Sequence, residues 1–226
     1  MKLKWIMPAA LLCIAAVGTN AQAGDIAVGI KASTLGISGE VVTNVVPMLL
    51  NARLQLNGFN YNKTITDTTV RYDAALKLRS AGILADLYPF AGKFRISAGL
   101  YYNGNKFNVT GVPSVAQNFT INNTVYNTAN IGSVNGTVDF NKFAPYLGIG
   151  WGDSVSAGSP LGFSFELGAL YQGKPKTTLT TSKSLANPTA QALLGSNIAA
   201  EKKKLDDSLN NFKFYPVISL GINYKF

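Results

Sequence analysis

Residues 214 to 226 carry an apolar or aromatic side chain at every even position: Phe214, Pro216, Ile218, Leu220, Ile222, Tyr224 and Phe226. The flanking and odd positions include Lys213, Ser219, Asn223 and Lys225. A repeat of two sends successive side chains to opposite faces of an extended strand, so one face of this strand meets surroundings as apolar as a core while the other meets polar groups. In a soluble sandwich the apolar face would point inward. In a closed barrel within lipid it points outward, and the polar face lines the interior.

The amino end points to export. Met1-Lys2-Leu3-Lys4 supplies a positive segment, Trp5 to Gly18 an apolar one, and Ala21-Gln22-Ala23 a small-x-small cleavage signal. These define a secretory signal peptide over 1–23 and a mature barrel over 24–226. The apolar run is shorter than the roughly 20 residues of a membrane-spanning helix, and Pro8 and Gly18 interrupt it. Cys13 is a poor lipoprotein cysteine, because Leu12 precedes it and it lies within the apolar run.

The leader takes two of the 20 Lys and Arg, leaving 18 against 11 acidic residues, a mature net charge of about +7. The basic residues are scattered instead of forming a stripe, which argues against nucleic acid and makes lipopolysaccharide phosphates the expected counter-charge. No stretch after Ala23 has 18 consecutive apolar residues, so membrane insertion has to come from strands.

Period-2 alternation predicts eight strands. The first is Asp25 to Ser33, with Ile26, Val28, Ile30 and Ala32 outward and Lys31 inward. A tight hairpin at Thr34-Leu35-Gly36 leads to a second, with Leu35, Ile37, Val41 and Val45 outward and Ser38, Glu40 and Asn44 inward. Val46-Pro47 ends it. Met48 to Tyr61 alternates most cleanly, with Leu50, Ala52, Leu54 and Leu56 against Asn51, Arg53, Gln55 and Asn57. Ala74 to Tyr88 follows, where Leu76 and Leu78 put Lys77 and Arg79 inward but Ala81, Ile83, Ala85 and Leu87 demand the other phase; a β-bulge near Ser80 would join them. Phe94 to Asn105 turns Arg95, Ser97 and Asn103 inward. Val138 to Gly152 sets Leu147, Ile149 and Trp151 outward, and the inward Gly148, Gly150 and Gly152 suit a narrow barrel. Leu161 to Gln172 turns Ser164, Glu166 and Gln172 inward, and the terminal strand is the eighth.

The connections after strands two, four and six are short: Val46-Pro47, Pro89 to Lys93, and Asp153 to Pro160. Those after three, five and seven are long: Asn62 to Asp73, Val109 to Thr137, and Gly173 to Asn211. Short turns at one end and long loops at the other, with both termini at the short end, is the arrangement of outer-membrane barrels. Val109 to Val138 contains no charge and reads either as a polar β-extension above the membrane or as a mobile loop. In the last loop Asn187-Pro188 is a helix-cap signal. Ser196 to Asn210 then shares Ile198, Leu205 and Leu209 on one face, a short amphipathic helix that packs on the barrel rim or other loops, gates the lumen, or touches a partner.

The signal peptide, the eight alternating strands, the stretch Tyr146 to Gly152 and the Tyr215 to Phe226 end together resemble the small outer-membrane barrels of the outer-membrane-protein-A and opacity-protein type of Gram-negative bacteria. The resemblance covers essentially the whole mature chain. It implies an all-β, eight-stranded antiparallel transmembrane up-and-down barrel. It also implies that Tyr224 and Phe226 form the signal read by the barrel-assembly machinery. It contains no catalytic fingerprint, and no peptidoglycan-binding domain follows the barrel.

The absence of histidine closes the routes used by barrel lipases, acyltransferases and proteases, and with the only cysteine in the leader it disfavours transition-metal sites. No cofactor is expected. Inward Glu40, Asp86 and Glu166 are expected to pair with inward Lys31, Arg53 and Arg95, and with Lys77 and Arg79, since charges in a narrow lumen need partners. Two function classes remain: a non-enzymatic structural or surface-interaction barrel, and a narrow or gated channel for small solutes. Eight strands enclose an interior just wide enough for side chains, which favours the first. Arg53, Tyr101, Tyr146 and Tyr215 are candidate fillers. A soluble ligand-carrying barrel would need its apolar residues inside. Lipid and lipopolysaccharide are the expected partners, and sequence leaves the oligomeric state open.

Overall fold

The computed structural model describes residues 26–67, 70–113, 118–152 and 160–226. The leader expected at 1–23 and most of the turn expected at 153–160 lie outside them. In chain order the elements are β1 (Ile26–Ser33), β2 (Gly36–Val46), β3 (Leu50–Thr66), β4 (Val70–Leu87) and β5 (Phe94–Asn103). Next come β6 (Lys106–Pro113), β7 (Asn118–Ile121), β8 (Thr124–Asn127), α1 (Thr128–Ile131) and β9 (Val134–Asp139). The last are β10 (Phe143–Trp151), β11 (Leu161–Tyr171), β12 (Lys176–Thr181), α2 (Pro188–Leu209) and β13 (Phe214–Lys225).

Eight of these strands close an antiparallel up-and-down barrel in the order β1, β2, β3, β4, β5, β10, β11, β13, with β13 pairing back onto β1 from Ala27↔Lys225 to Ser33↔Ser219. Closure leaves the barrel no open edge. Strands β5, β10 and β11 run 10, 9 and 11 residues, the length of a tilted membrane-spanning strand. Outward positions are apolar and exposed, among them Ile30 at 68%, Ile83 at 71% and Phe163 at 74%. Inward positions are buried and mostly polar, among them Lys31, Gln55, Ser97 and Asn223.

The outer end carries a second structure. Strands β3 and β4 run 17 and 18 residues, well past the barrel, and β6, β9 and β12 add to the free upper edge of β4 to give a sheet ordered β3, β4, β6, β9, β12. Both expected loops, Asn62 to Asp73 and Val109 to Thr137, are therefore largely strand. The uncharged segment is the polar β-extension, with a β7–β8 hairpin turned through Asn122 and Asn123, both at positive φ.

The bulge expected at Ser80 is absent. Strands β3 and β4 pair in one unbroken register from Leu50↔Leu87 to Thr66↔Arg71. What changes is the polarity of the two faces. Within the barrel the outward residues of β4 are Ala81, Ile83 and Ala85; above it they are Lys77 and Arg79, which are exposed and do not enter the lumen. The inward side changes from Ser80 and Asp86 to Leu76 and Leu78. A fixed backbone passing between two surroundings reads in sequence like a phase slip. The strand expected over Val138 to Gly152 is likewise two strands, β9 in the outer extension beside β6 and β12, and β10 in the barrel between β5 and β11.

Leu35 also departs from expectation. At the two-residue β1–β2 turn it points inward, fully buried, because the reversal at Gly36 (φ 105°) absorbs the change of phase. Tyr215 Oη donates to the Thr34 carbonyl at 2.6 Å and Thr34 Oγ1 to the Pro216 carbonyl at 2.8 Å, which pins this short turn against β13.

Helix α2 is capped where the sequence indicates, Asn187 Oδ1 accepting from Thr189 N and Ala190 N at 2.9 and 3.1 Å with Pro188 first. It runs 22 residues instead of beginning near Ser196. Leu194 packs with Ile121, Tyr126 and Ile131 in a small core of its own. Asp206 ties the helix to β12, accepting from Thr177 N at 3.0 Å and Thr177 Oγ1 at 2.6 Å.

Candidate functional site: the lumen

The barrel directs six charged side chains to one place, one from each of β1, β2, β3, β4, β5 and β11. Lys31, Glu40, Arg53, Asp86, Arg95 and Glu166 are each at most 4% exposed. Glu166 is the hub. Its Oε2 lies 2.7 Å from Arg53 Nη1, 2.7 Å from Arg95 Nη2 and 3.5 Å from Lys31 Nζ, and its Oε1 accepts from Tyr146 Oη at 2.5 Å. Glu40 receives Lys31 at 2.7 Å and Arg53 at 3.4 Å. Asp86 accepts from Arg53 Nη2 at 2.9 Å and from the Ser97 hydroxyl at 2.6 Å.

Three cations face three anions, so the cluster is neutral. Several kcal/mol is lost per ion on burial, and neutrality with short, multiple contacts is the condition under which burial is tolerable. The strands supply the fit. Gly150 is paired to both Arg95 and Glu166, and its missing side chain leaves room for the Arg95 guanidinium, whose Cζ lies 2.9 Å from where a Cβ would sit.

Toward the outer mouth an apolar layer joins the lining, beside the buried polar residues Gln55, Asn57 and Ser80. Leu35, Leu84, Tyr101, Tyr146, Leu170 and Val217 pack as one layer, with Tyr215 against it. The Tyr101 and Tyr146 rings meet edge to face at 5.6 Å. Tyr146 lies over the directly opposed pair Gly148 and Gly168, and a Cβ at Gly168 would approach its Cζ to 2.5 Å. Tyr101 occupies the space left by Gly82 and donates to Gln55 Oε1 at 3.0 Å. Side chains thus fill the lumen at two successive levels, one ionic and one apolar.

All six nominated lumen residues fall within the cluster, whereas Lys77 and Arg79 lie outside it. Tyr146 joins the cluster through its hydroxyl as well as filling space. Of the apolar layer, Tyr101, Tyr146 and Tyr215 were nominated as fillers, whereas Leu84, Leu170 and Val217 were missed, although they are apolar residues at inward parity, a signal available in the sequence. Tyr224 and Phe226 face outward at the short-turn end of the barrel, where β13 finishes, with their rings 5.3 Å apart. Among the described residues no group of three or more His, Cys, Asp or Glu could hold a metal ion, and no helix is long and apolar enough to cross a membrane.

A closed eight-stranded antiparallel barrel with an apolar exterior and a polar, charge-paired interior has the architecture of the small transmembrane β-barrels. Two solved structures have this fold. The crystal structure of Acinetobacter baumannii CarO2 matches with a TM-score of 0.57 at 22% identity, covering 91% of this chain and 100% of that one. That of Acinetobacter baumannii CarO matches with a TM-score of 0.56 at 22% identity, covering 89% and 98%. CarO is an outer-membrane barrel of eight strands, and the present chain shares that fold. No protein-family model and no curated protein matches the sequence.

Proposed function

We propose that the protein is an integral outer-membrane barrel with a closed lumen and a structural or surface-interaction role, without enzymatic activity. The observation that carries this reading is the neutral six-residue cluster lying beneath the apolar layer of Leu35, Tyr101, Tyr146 and Leu170. A solute would have to break the ion pairs and displace two packed rings. Every inward carboxylate named above is engaged with cations, which leaves none of them free as a general base. The exposed apolar band supports placement in the outer membrane, with Tyr224 and Phe226 as the assembly signal. The outer sheet and α2 then form the surface presented to the outside, and outward Lys77, Arg79 and Lys106, just beyond the apolar band, suit lipopolysaccharide phosphates.

The competing reading is a narrow or gated channel. Voltage-clamped planar bilayers holding protein verified as folded and inserted separate the two. The expected result is no conductance step. Reproducible openings whose size changes in the Arg53→Ala, Glu166→Ala double variant would establish the channel instead.

A further inference from the structure

The inward-facing side of the outer sheet is apolar through Leu76, Phe107, Val109, Val134, Val138 and Leu179, and α2 covers only part of it. Between this face and the cover formed by Phe119, Thr128 and Leu205 lies a partly open cavity of about 270 Å³. Among the described residues no charged one lines it. Of its hydroxyl groups, Thr177 is committed to Asp206 and Thr137 to Asn108.

Two glycines on neighbouring strands, Gly111 of β6 and Gly136 of β9, form part of the cavity wall. The lumen-facing glycines Gly168 and Gly82 make way for a neighbour: a Cβ there would run into Tyr146 or Tyr101. These two make way for nothing. A Cβ at Gly136 would meet only Leu179 Cδ2 at 3.5 Å and the Val109 carbonyl at 3.9 Å, and one at Gly111 would meet Tyr72 Cε1 at 3.5 Å, all ordinary contacts. Neither glycine is among those at positive φ. Glycine inside a strand weakens it, and it commonly marks a place where something approaches the sheet closely. Here that space lies inside the cavity.

We propose that this cavity is a binding site for a small uncharged hydrocarbon group of one or two rings. An apolar cavity of roughly 150 Å³ accommodates benzene, so this volume accommodates a bicyclic molecule. The driving force is removal of apolar surface from water, and no lining group rewards a charge. The site stands apart from the lumen and does not depend on whether the barrel conducts.

The test is methyl NMR of the refolded full chain in amphipol, titrated with naphthalene and, separately, with naphthalene-2-sulfonate. Naphthalene is expected to shift the methyls of Val109, Val134, Leu179 and Leu205 saturably, while the outward methyls of Leu100 and Leu147 drift without saturation. The sulfonate is expected to produce no saturable shift. Gly136→Leu fills the cavity from the sheet and should weaken naphthalene binding by about tenfold or more. Leu205→Phe fills it from α2 and serves if the glycine variant disturbs the sheet. Unchanged Leu84 and Leu170 methyls report an intact barrel in either variant. The proposal is overturned if the cavity methyls move no differently from Leu100 and Leu147, if the sulfonate binds as well as naphthalene, or if both filled variants keep parental affinity.

Discussion

Replacing Glu166 by Gln is the most direct way to ask whether the lumen is dry. The change preserves size and leaves an amide able to accept from Tyr146, but it leaves three buried cations, Lys31, Arg53 and Arg95, facing two anions, Glu40 and Asp86. If the cluster is as enclosed as its side-chain exposures of 1–3% indicate, the uncompensated charge costs about 3–5 kcal/mol, the range for breaking a buried pair. If water reaches it as it would in a hydrated pore, the loss falls to about 0.2–1 kcal/mol, the range for solvent-exposed pairs. The two ranges do not overlap. Adding Lys31→Met to Glu166→Gln restores charge balance at two against two and should recover most of the loss, a coupling that a double-mutant cycle measures directly.

The assay is reversible urea unfolding in lipid vesicles, followed by Trp151 fluorescence; the chain's other tryptophan is Trp5. At a fixed denaturant slope, a change of 3–5 kcal/mol moves the midpoint by about 1 M or more for slopes of about 1–3 kcal/mol/M. A loss below about 1 kcal/mol in Glu166→Gln, with no recovery in the double variant, would refute the enclosed, charge-balanced cluster. The closed-lumen reading would lose its support with it.

Gly168→Ala should cost about 1–3 kcal/mol because the new methyl collides with Tyr146, whose hydroxyl is held by Glu166. Tyr146→Leu in the same chain should make that alanine neutral, and an equal penalty in both backgrounds by urea unfolding would contradict the packing argument. For Asp206, burial works against its charge, but hydrogen bonds from Lys202 and from the side chain and backbone of Thr177 outweigh it, holding the carboxyl below its ordinary value. A depressed folded value means its tether of α2 to β12 is fully present above the unfolded value near 3.9 and is lost as pH falls below it. Hydrogen exchange of Thr177 N–H should therefore be flat from pH 7 to pH 5 after correction for intrinsic rates, and protection already lost at pH 5 would refute the tether.

The barrel was readable because each spanning strand has one face against apolar surroundings and one against a polar lumen, and a period of two survives any choice of particular residues. Lys31, Glu40, Arg53, Asp86, Arg95 and Glu166 could be nominated for the same reason, since parity alone puts them inside. Which cation meets which anion was not readable, because it depends on stagger between strands as distant in sequence as β3 and β11. The outer sheet was obscured because β4 keeps its register while its surroundings change. Parity then misassigned Lys77 and Arg79. The cap at Asn187 was legible, but the first turns of α2 were not read as helix because Ala190 to Gly195 shows no clear helical stripe; Leu35 was misplaced because a two-residue turn assigns its side chains by turn geometry rather than strand phase.

On the outer-membrane reading proposed above, that change of surroundings also sets the level of the membrane. Outward Ala81 is the last apolar position of β4 in the barrel, and outward Arg79 is the first charged one, two residues higher in the same register. At this level the outward rings of Tyr102 and Phe143 meet at 6.0 Å, and those of Tyr171 and Phe214 at 5.1 Å. At the opposite end Phe94 meets Trp151 at 6.3 Å, near the rim that carries Tyr224 and Phe226. Two belts of amphipathic or apolar rings bounding an aliphatic band are what the two interfaces of a bilayer select. From Phe143 to Trp151 the strand advances eight residues, about 26 Å along its length and roughly 20 Å along the membrane normal at a tilt near 40°. That span suits an outer membrane, which is thinner than most bilayers. On the same reading, β3 and β4, at 17 and 18 residues, must leave the lipid and exchange a polar inner face for an apolar one. Above the interface, water lies on the outward side, so the apolar face can be buried only against the chain's own cover of α2 and the hairpin.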